Sequence, residues 1–231
     1  MVRRRGSRAV LSVLLSAGMI VVSFGTTGIT ALAAEDRSET VFVPGDNDET
    51  DVEVGNITIG SVALDESAEG LSGALVYGPG QDISLKVNGD ITIDGGADTG
   101  WTEGVGAFVE NGGSNTVDIS GDIRVNADDS VDSLIGVYVY KDKETETASE
   151  SSSDGKAIVN VGGDLEGNAE NYARGIKVYS EDGGRAEVVA KGDVKVTSGS
   201  SDAIGISVDS CAGATAEISG GGGVTASSAE K

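Results

Sequence analysis

Ile119-Ser120-Gly121-Asp122-Ile123-Arg124-Val125 is one copy of a signature that recurs along the chain. Other copies are Glu53-Val54-Gly55-Asn56-Ile57, Val87-Asn88-Gly89-Asp90-Ile91, Val161-Gly162-Gly163-Asp164-Leu165 and Ala190-Lys191-Gly192-Asp193-Val194, with a decayed one at Ile218-Ser219-Gly220-Gly221. Repeats of about 20 to 50 residues mark units too small to bury their own apolar face, which must stack on their neighbours. A second landmark keeps nearly the same period. A glycine followed by apolar–any–apolar residues begins at Gly73, Gly106, Gly136, Gly175 and Gly205, with spacings of 33, 30, 39 and 30 residues.

Working outward from the signature, each unit yields three alternating segments. Val117-Asp118-Ile119 precedes it, Ile123-Arg124-Val125 follows it, and Val137-Tyr138-Val139 completes the unit. Apolar–any–apolar alternation is the period-two pattern of half-buried strands, and no sustained 3.6-residue period competes with it. The expected fold is all-β: a parallel β-solenoid of about five to six coils with three short strands per coil. A β-sandwich also offers closely spaced strands, but its strands occupy non-equivalent places and leave the repeat unexplained. The expected core is a set of columns. One holds Val54, Val87, Ile119, Val161, Ala190 and Ile218, a second Ile57, Ile91, Ile123, Leu165 and Val194, and a third Val76, Val109, Val139, Val178 and Val208.

Composition narrows the function classes. Four of the 16 basic residues precede position 34 and all 38 acidic residues follow it, leaving 12 against 38, a net charge of −26 for residues 34–231. Such a charge opposes binding to nucleic acid and anionic lipid. Residues 1–33 read as a secretory signal: Arg3-Arg4-Arg5, an apolar stretch from Ala9 to Val22, and Ala31-Leu32-Ala33 as a cleavage site. An uncleaved anchor is the rival reading. No later segment is long and apolar enough to span a bilayer. The chain is therefore expected to be secreted or held at the cell surface. Residues 34–50 read as a flexible acidic lead-in and 51–231 as the repeat domain, with 141–154 an inserted loop and the last coil incomplete. Cys211 is alone, so no intramolecular disulfide is possible.

Two sets of residues could carry chemistry. Asp90, Asp122, Asp164 and Asp193 should stack at one turn of successive coils. Each could cap its own turn by accepting a backbone N–H, as Asx turns do, or neighbouring carboxylates could share Ca²⁺, a hard cation that takes oxygen ligands. The second set is a candidate ligand-binding face on the third strand: Tyr77, Phe108, Tyr138, Tyr140 and Tyr179. Aromatic platforms among carboxylates suit sugar or peptide contact, although aromatics also favour strands for packing reasons alone. No nucleophile motif, phosphate loop or metal-ligand spacing is present, and the chain has no histidine.

The Gly-Asp-Ile-x-Val and Gly-Ile-x-Val-Tyr repeats over residues 51–224 resemble those of secreted bacterial β-helix proteins, similar to autotransporter passengers and repetitive surface adhesins of Gram-positive bacteria. That resemblance implies an extracellular adhesive or structural role. The chain departs from the class in showing no translocator and no Leu-Pro-x-Thr-Gly anchor. The resulting expectation is an exported, non-catalytic interaction module with a glycan or a host or bacterial surface protein as partner, and with end-to-end self-association through its open end. The alternative is a polysaccharide-active β-helix enzyme, lyase or hydrolase, or an inactive relative of one.

Overall fold

Valine and isoleucine alternating with polar residues build strands with one face in and one face out, and that alternation repeats unit after unit. The computed structural model describes residues 34–43, 50–60, 70–79, 82–95, 101–110, 113–127, 133–141, 155–180, 184–210 and 215–228. The expected signal segment 1–33, residues 142–154 of the expected loop, Cys211 and the acidic run 46–49 lie outside them. The chain divides into Met1–Leu32 and Ala33–Lys231, and the second unit holds all the described residues.

Eighteen strands, numbered in chain order, form three six-stranded parallel sheets among the described residues. Sheet I carries β2 (Asp51–Val54), β5 (Ile83–Val87), β8 (Ser114–Ile119), β11 (Lys156–Val161), β14 (Arg185–Ala190) and β17 (Thr215–Gly220). Sheet II carries β3 (Ile57–Ile59), β6 (Ile91–Asp94), β9 (Ile123–Asn126), β12 (Leu165–Ala169), β15 (Val194–Ser198) and β18 (Val224–Ser228). Sheet III carries β1 (Val41–Val43), β4 (Gly70–Pro79), β7 (Trp101–Glu110), β10 (Ser133–Lys141), β13 (Tyr172–Ser180) and β16 (Ala203–Ser210). Each strand pairs with its equivalent one repeat away, so the fold is a parallel β-solenoid.

Two features of the expected fold are corrected. Among the described residues only β4 through β15 are paired on both sides, because the outer strands of each sheet are edges. The solenoid therefore amounts to about four turns, not five to six, with an edge rung at either end. The third strand is also not short: sheet III strands after β1 run 8 to 10 residues. Counting signature copies overestimates turns because the first and last copies sit on edge rungs. Residues 34–43, expected as lead-in, contribute to the first of these. Gly55 N–H donates to Glu35 O at 2.7 Å, Thr58 N–H to Arg37 O at 2.8 Å, and β1 pairs with β4.

The core columns follow register, with three shifts. Ile57, Ile91, Ile123, Leu165 and Val194 align as expected and are all buried. In sheet I, Val54, Val87, Ile119, Val161 and Ala190 end on Gly220, and Ile218 belongs instead beside Val188. In sheet III the register row is Val76, Ala107, Val139, Val178 and Val208, of which Val76, Ala107 and Val178 are buried and Val208 is exposed, and Val109 lies two positions along, opposite Gly78. Last, Val224 pairs with Val194, so the sixth signature is Gly222-Gly223, not Gly220-Gly221.

Glycine explains the sheet III register. Gly73, Gly104, Gly136 and Gly175 sit so that an added Cβ would strike the carbonyl oxygen of the next glycine in the column, 2.7 Å away for Gly73 and 2.8 Å for Gly136. The same Cβ atoms would press into Ile91, Ile123, Leu165 and Val194 of sheet II. Only glycine lets the backbone approach so closely where sheet III turns over the core. The aligned landmark in the second repeat is thus Gly104, not Gly106.

Candidate functional site

The stacked acidic residues form a continuous hydrogen-bonded ladder. Asn56 N–H donates to Asp36 Oδ1 (2.7 Å), Asp90 N–H to Asn56 Oδ1 (2.9 Å) and Asp122 N–H to Asp90 Oδ1 (2.8 Å). Asp164 N–H continues to Asp122 Oδ1 (2.8 Å), Asp193 N–H to Asp164 Oδ1 (2.8 Å) and Gly223 N–H to Asp193 Oδ1 (2.7 Å). Each side chain therefore caps the turn of the next rung, not its own. The preceding glycine is required by the same contact, because a Cβ at Gly89, Gly121, Gly163 or Gly192 would collide with the incoming Oδ1 of the previous rung. The two letters of the Gly-Asp signature thus serve one joint: glycine clears the space and Asp or Asn fills it.

Arg124 moderates the charge along this row, pairing with Asp122 and lying 3.6 Å from Asp90. Among the described residues no group of three or more His, Cys, Asp or Glu is placed to hold a metal ion. A parallel amide ladder runs on sheet II, where Asn168 Nδ2 donates to Asn126 Oδ1 (2.9 Å) and Asn126 Nδ2 to Asp94 Oδ1 (2.8 Å).

Sheet III gathers the aromatic residues more tightly than the sequence spacing implies. Its register puts Tyr77 opposite Phe108, Phe108 opposite Tyr140, and Tyr140 opposite Tyr179, one residue per rung, with Asp209 next. Tyr138 falls in a neighbouring register row with Leu75, Gly106, Lys177 and Ser207. Tyr77 is exposed and Tyr179 half-buried. The side chains of Phe108, Tyr138 and Tyr140 lie outside the described set. Nearby, the Arg174 guanidinium stands over the Tyr172 ring, 5.2 Å from its centre, a cation–π arrangement. Burial and the neighbouring Arg174 hold the Lys177 ammonium below its ordinary range, against the opposing pull of Asp209 and Glu103.

Sequence reasoning missed Glu103. It shares a register row with Ser72, Ile135, Arg174 and Ile204, and it is 1% exposed. The Ser72 hydroxyl donates to Glu103 Oε2 at 3.3 Å, while Oε1 has no hydrogen-bond partner. Burial pushes the carboxyl up to about 8, outweighing Ser72 and the positive charge of Lys177. A buried acid with too few donors keeps its proton because the charged form is poorly solvated there. The signal that could have found it is the glycine column. Taking Gly104 as the landmark places Glu103 immediately before it, in a row otherwise held by Ser, Ile and Arg.

No helix among the described residues is long and apolar enough to cross a membrane. No protein-family model matches the chain. Neither the curated proteins nor the solved structures provide a match.

Proposed function

We propose that this chain is an exported β-solenoid module that acts by binding rather than catalysis, at the bacterial surface or in the extracellular space, with the outer face of sheet III as its recognition surface. The single observation that carries this reading is the four-rung aromatic row Tyr77, Phe108, Tyr140 and Tyr179. Aromatic positions therefore repeat one per rung at the strand spacing of about 4.8 Å along the stack. Sugar rings present apolar faces and hydroxyls to such rows, which makes glycans the favoured partner class, in an adhesin-like role.

The test is retention on a glycan array, parent against a Tyr77→Ser/Tyr179→Ser variant. Retention falling about tenfold or more, without product release, supports the reading. Unchanged retention removes the face, and binding confined to immobilised surface proteins moves the partner class from glycan to protein. New reducing ends or unsaturated products released from a polysaccharide would instead favour the polysaccharide-active alternative.

A further inference from the structure

Strand β13 carries a cationic island in a strongly acidic chain. Of its nine residues, Tyr172, Arg174, Lys177 and Tyr179 are half-buried, and the other five are buried. Two cations therefore stand between two tyrosines on the partly open side of one strand. Tyr179 belongs to the aromatic row of sheet III, and Lys177 shares a row with Tyr138. Arg174 is held in place without being neutralised. Its Nη2 donates to the Tyr172 hydroxyl, and its guanidinium carbon lies 5.2 Å from the centre of that ring. Arg124 and Arg185 each pair with carboxylates. Among the described residues no carboxylate lies within ion-pair distance of Arg174, and its Nε has no hydrogen-bond partner. After burial, the Arg174 charge is the strongest influence on the Lys177 ammonium, and it is repulsive; Asp209 and Glu103 pull the other way less strongly. Glu103 keeps its proton up to about 8, so it supplies little negative charge at neutral pH.

We propose that Arg174 and Lys177 together bind the carboxylate of a uronic-acid-type sugar, with Tyr172 and Tyr179 flanking it, so that the face selects saccharides carrying isolated carboxylates. This rests on the reading of sheet III as a glycan-binding face and adds the chemical class of the glycan. The guanidinium fork matches the two oxygens of a carboxylate, and the ammonium adds a point charge. An anion seated there relieves the repulsion between the two cations. Tyrosine offers the sugar an apolar ring and a hydroxyl. The rest of the chain limits the ligand's charge. A net charge of −26 over residues 34–231 repels a long polyanion. At physiological salt, charges more than about 8 Å away are largely screened, and for a single carboxylate the adjacent cations decide.

The experiment prints oligosaccharides ending in glucuronate, galacturonate or mannuronate in three matched forms: the free acid, its methyl ester and the neutral parent sugar. The expected result for the full chain is at least tenfold stronger retention on one or more free acids than on the matching ester and neutral sugar. Arg174→Gln and Lys177→Gln should each remove most of that preference, with the circular dichroism spectrum and retention on the neutral sugars unchanged. Arg174→Lys should restore only part of it, because the charge returns without the fork. Equal retention on acid, ester and neutral forms overturns the proposal and leaves the glycan-binding reading standing. A preference for the acids that survives both glutamine variants overturns it too. Retention on a printed oligoglutamate in place of the sugars assigns the two cations to an acidic protein partner, against the proposal. An array blank for every glycan removes the proposal and the underlying reading together.

Discussion

Replacing Glu103 by Gln should abolish a pH dependence that this one side chain imposes on the fold. An unfolded glutamate loses its proton near its ordinary value of 4.5, whereas the folded carboxyl holds on to about 8. Between those values the native state binds a proton that the unfolded chain has released, so stability falls as pH rises through that window and levels off above it. The difference corresponds to about 5 kcal/mol at full extent. Glutamine keeps an oxygen for the Ser72 hydroxyl but adds an amide group in need of acceptors, a cost of about 1–3 kcal/mol. The variant should therefore be less stable than the parent near pH 4.5 and more stable above pH 8, with the two curves crossing between. Urea unfolding at pH 5, 6.5 and 8, followed by the fluorescence of Trp101, the chain's single tryptophan, measures both curves in parallel. Curves that stay a constant distance apart would refute the assignment of a buried, protonated Glu103.

Asp122→Asn should hold or raise the melting temperature, since Asn56 already shows an amide serving the ladder, while Asp122→Ala should lower stability by about 1 kcal/mol through the lost cap. Chelators should leave the melting temperature unchanged, because the ladder oxygens already accept backbone N–H groups; a fall would assign Ca²⁺ to the Asp90–Asp193 row. Gly136→Ala should destabilise sharply in thermal melts, since its Cβ would lie 2.7 Å from a Leu165 methyl and 2.8 Å from the Gly175 oxygen; a melting point equal to the parent's would contradict the close approach. Ile123→Ala, from a fully buried column, should cost about 2–5 kcal/mol in urea titrations.

The solenoid and the Ile57–Val194 column were legible because one rung's strand pattern repeats with little change, and Ile or Val at equal places can only stack. Sheet III was less legible. Its second copy offers glycine at both 104 and 106, and a period-two pattern accepts either, since a shift of two residues keeps every side chain on its face. Only the close approach of glycine backbone to glycine backbone decides for Gly104. The same shift concealed that Phe108 shares a row with Tyr77 and Tyr140, and that Glu103 lies buried beside Ser72. The Asp ladder was legible as a capping row but not in its direction. A Gly-Asp pair signals a turn, and nothing local distinguishes a carboxylate serving its own turn from one serving the rung above. The turn count failed for a related reason: the copy at 55 looks like an interior copy and the decayed sixth copy was counted with it, yet the strands of both rungs are edges.

The most direct test of rung-on-rung stacking is a spin-label distance between Thr58 and Lys195, two exposed positions in one sheet II row. Four strand spacings separate them, so a narrow distribution centred at about 19 Å between backbones is expected. A broad distribution, or one centred well beyond 30 Å, would contradict a stacked solenoid.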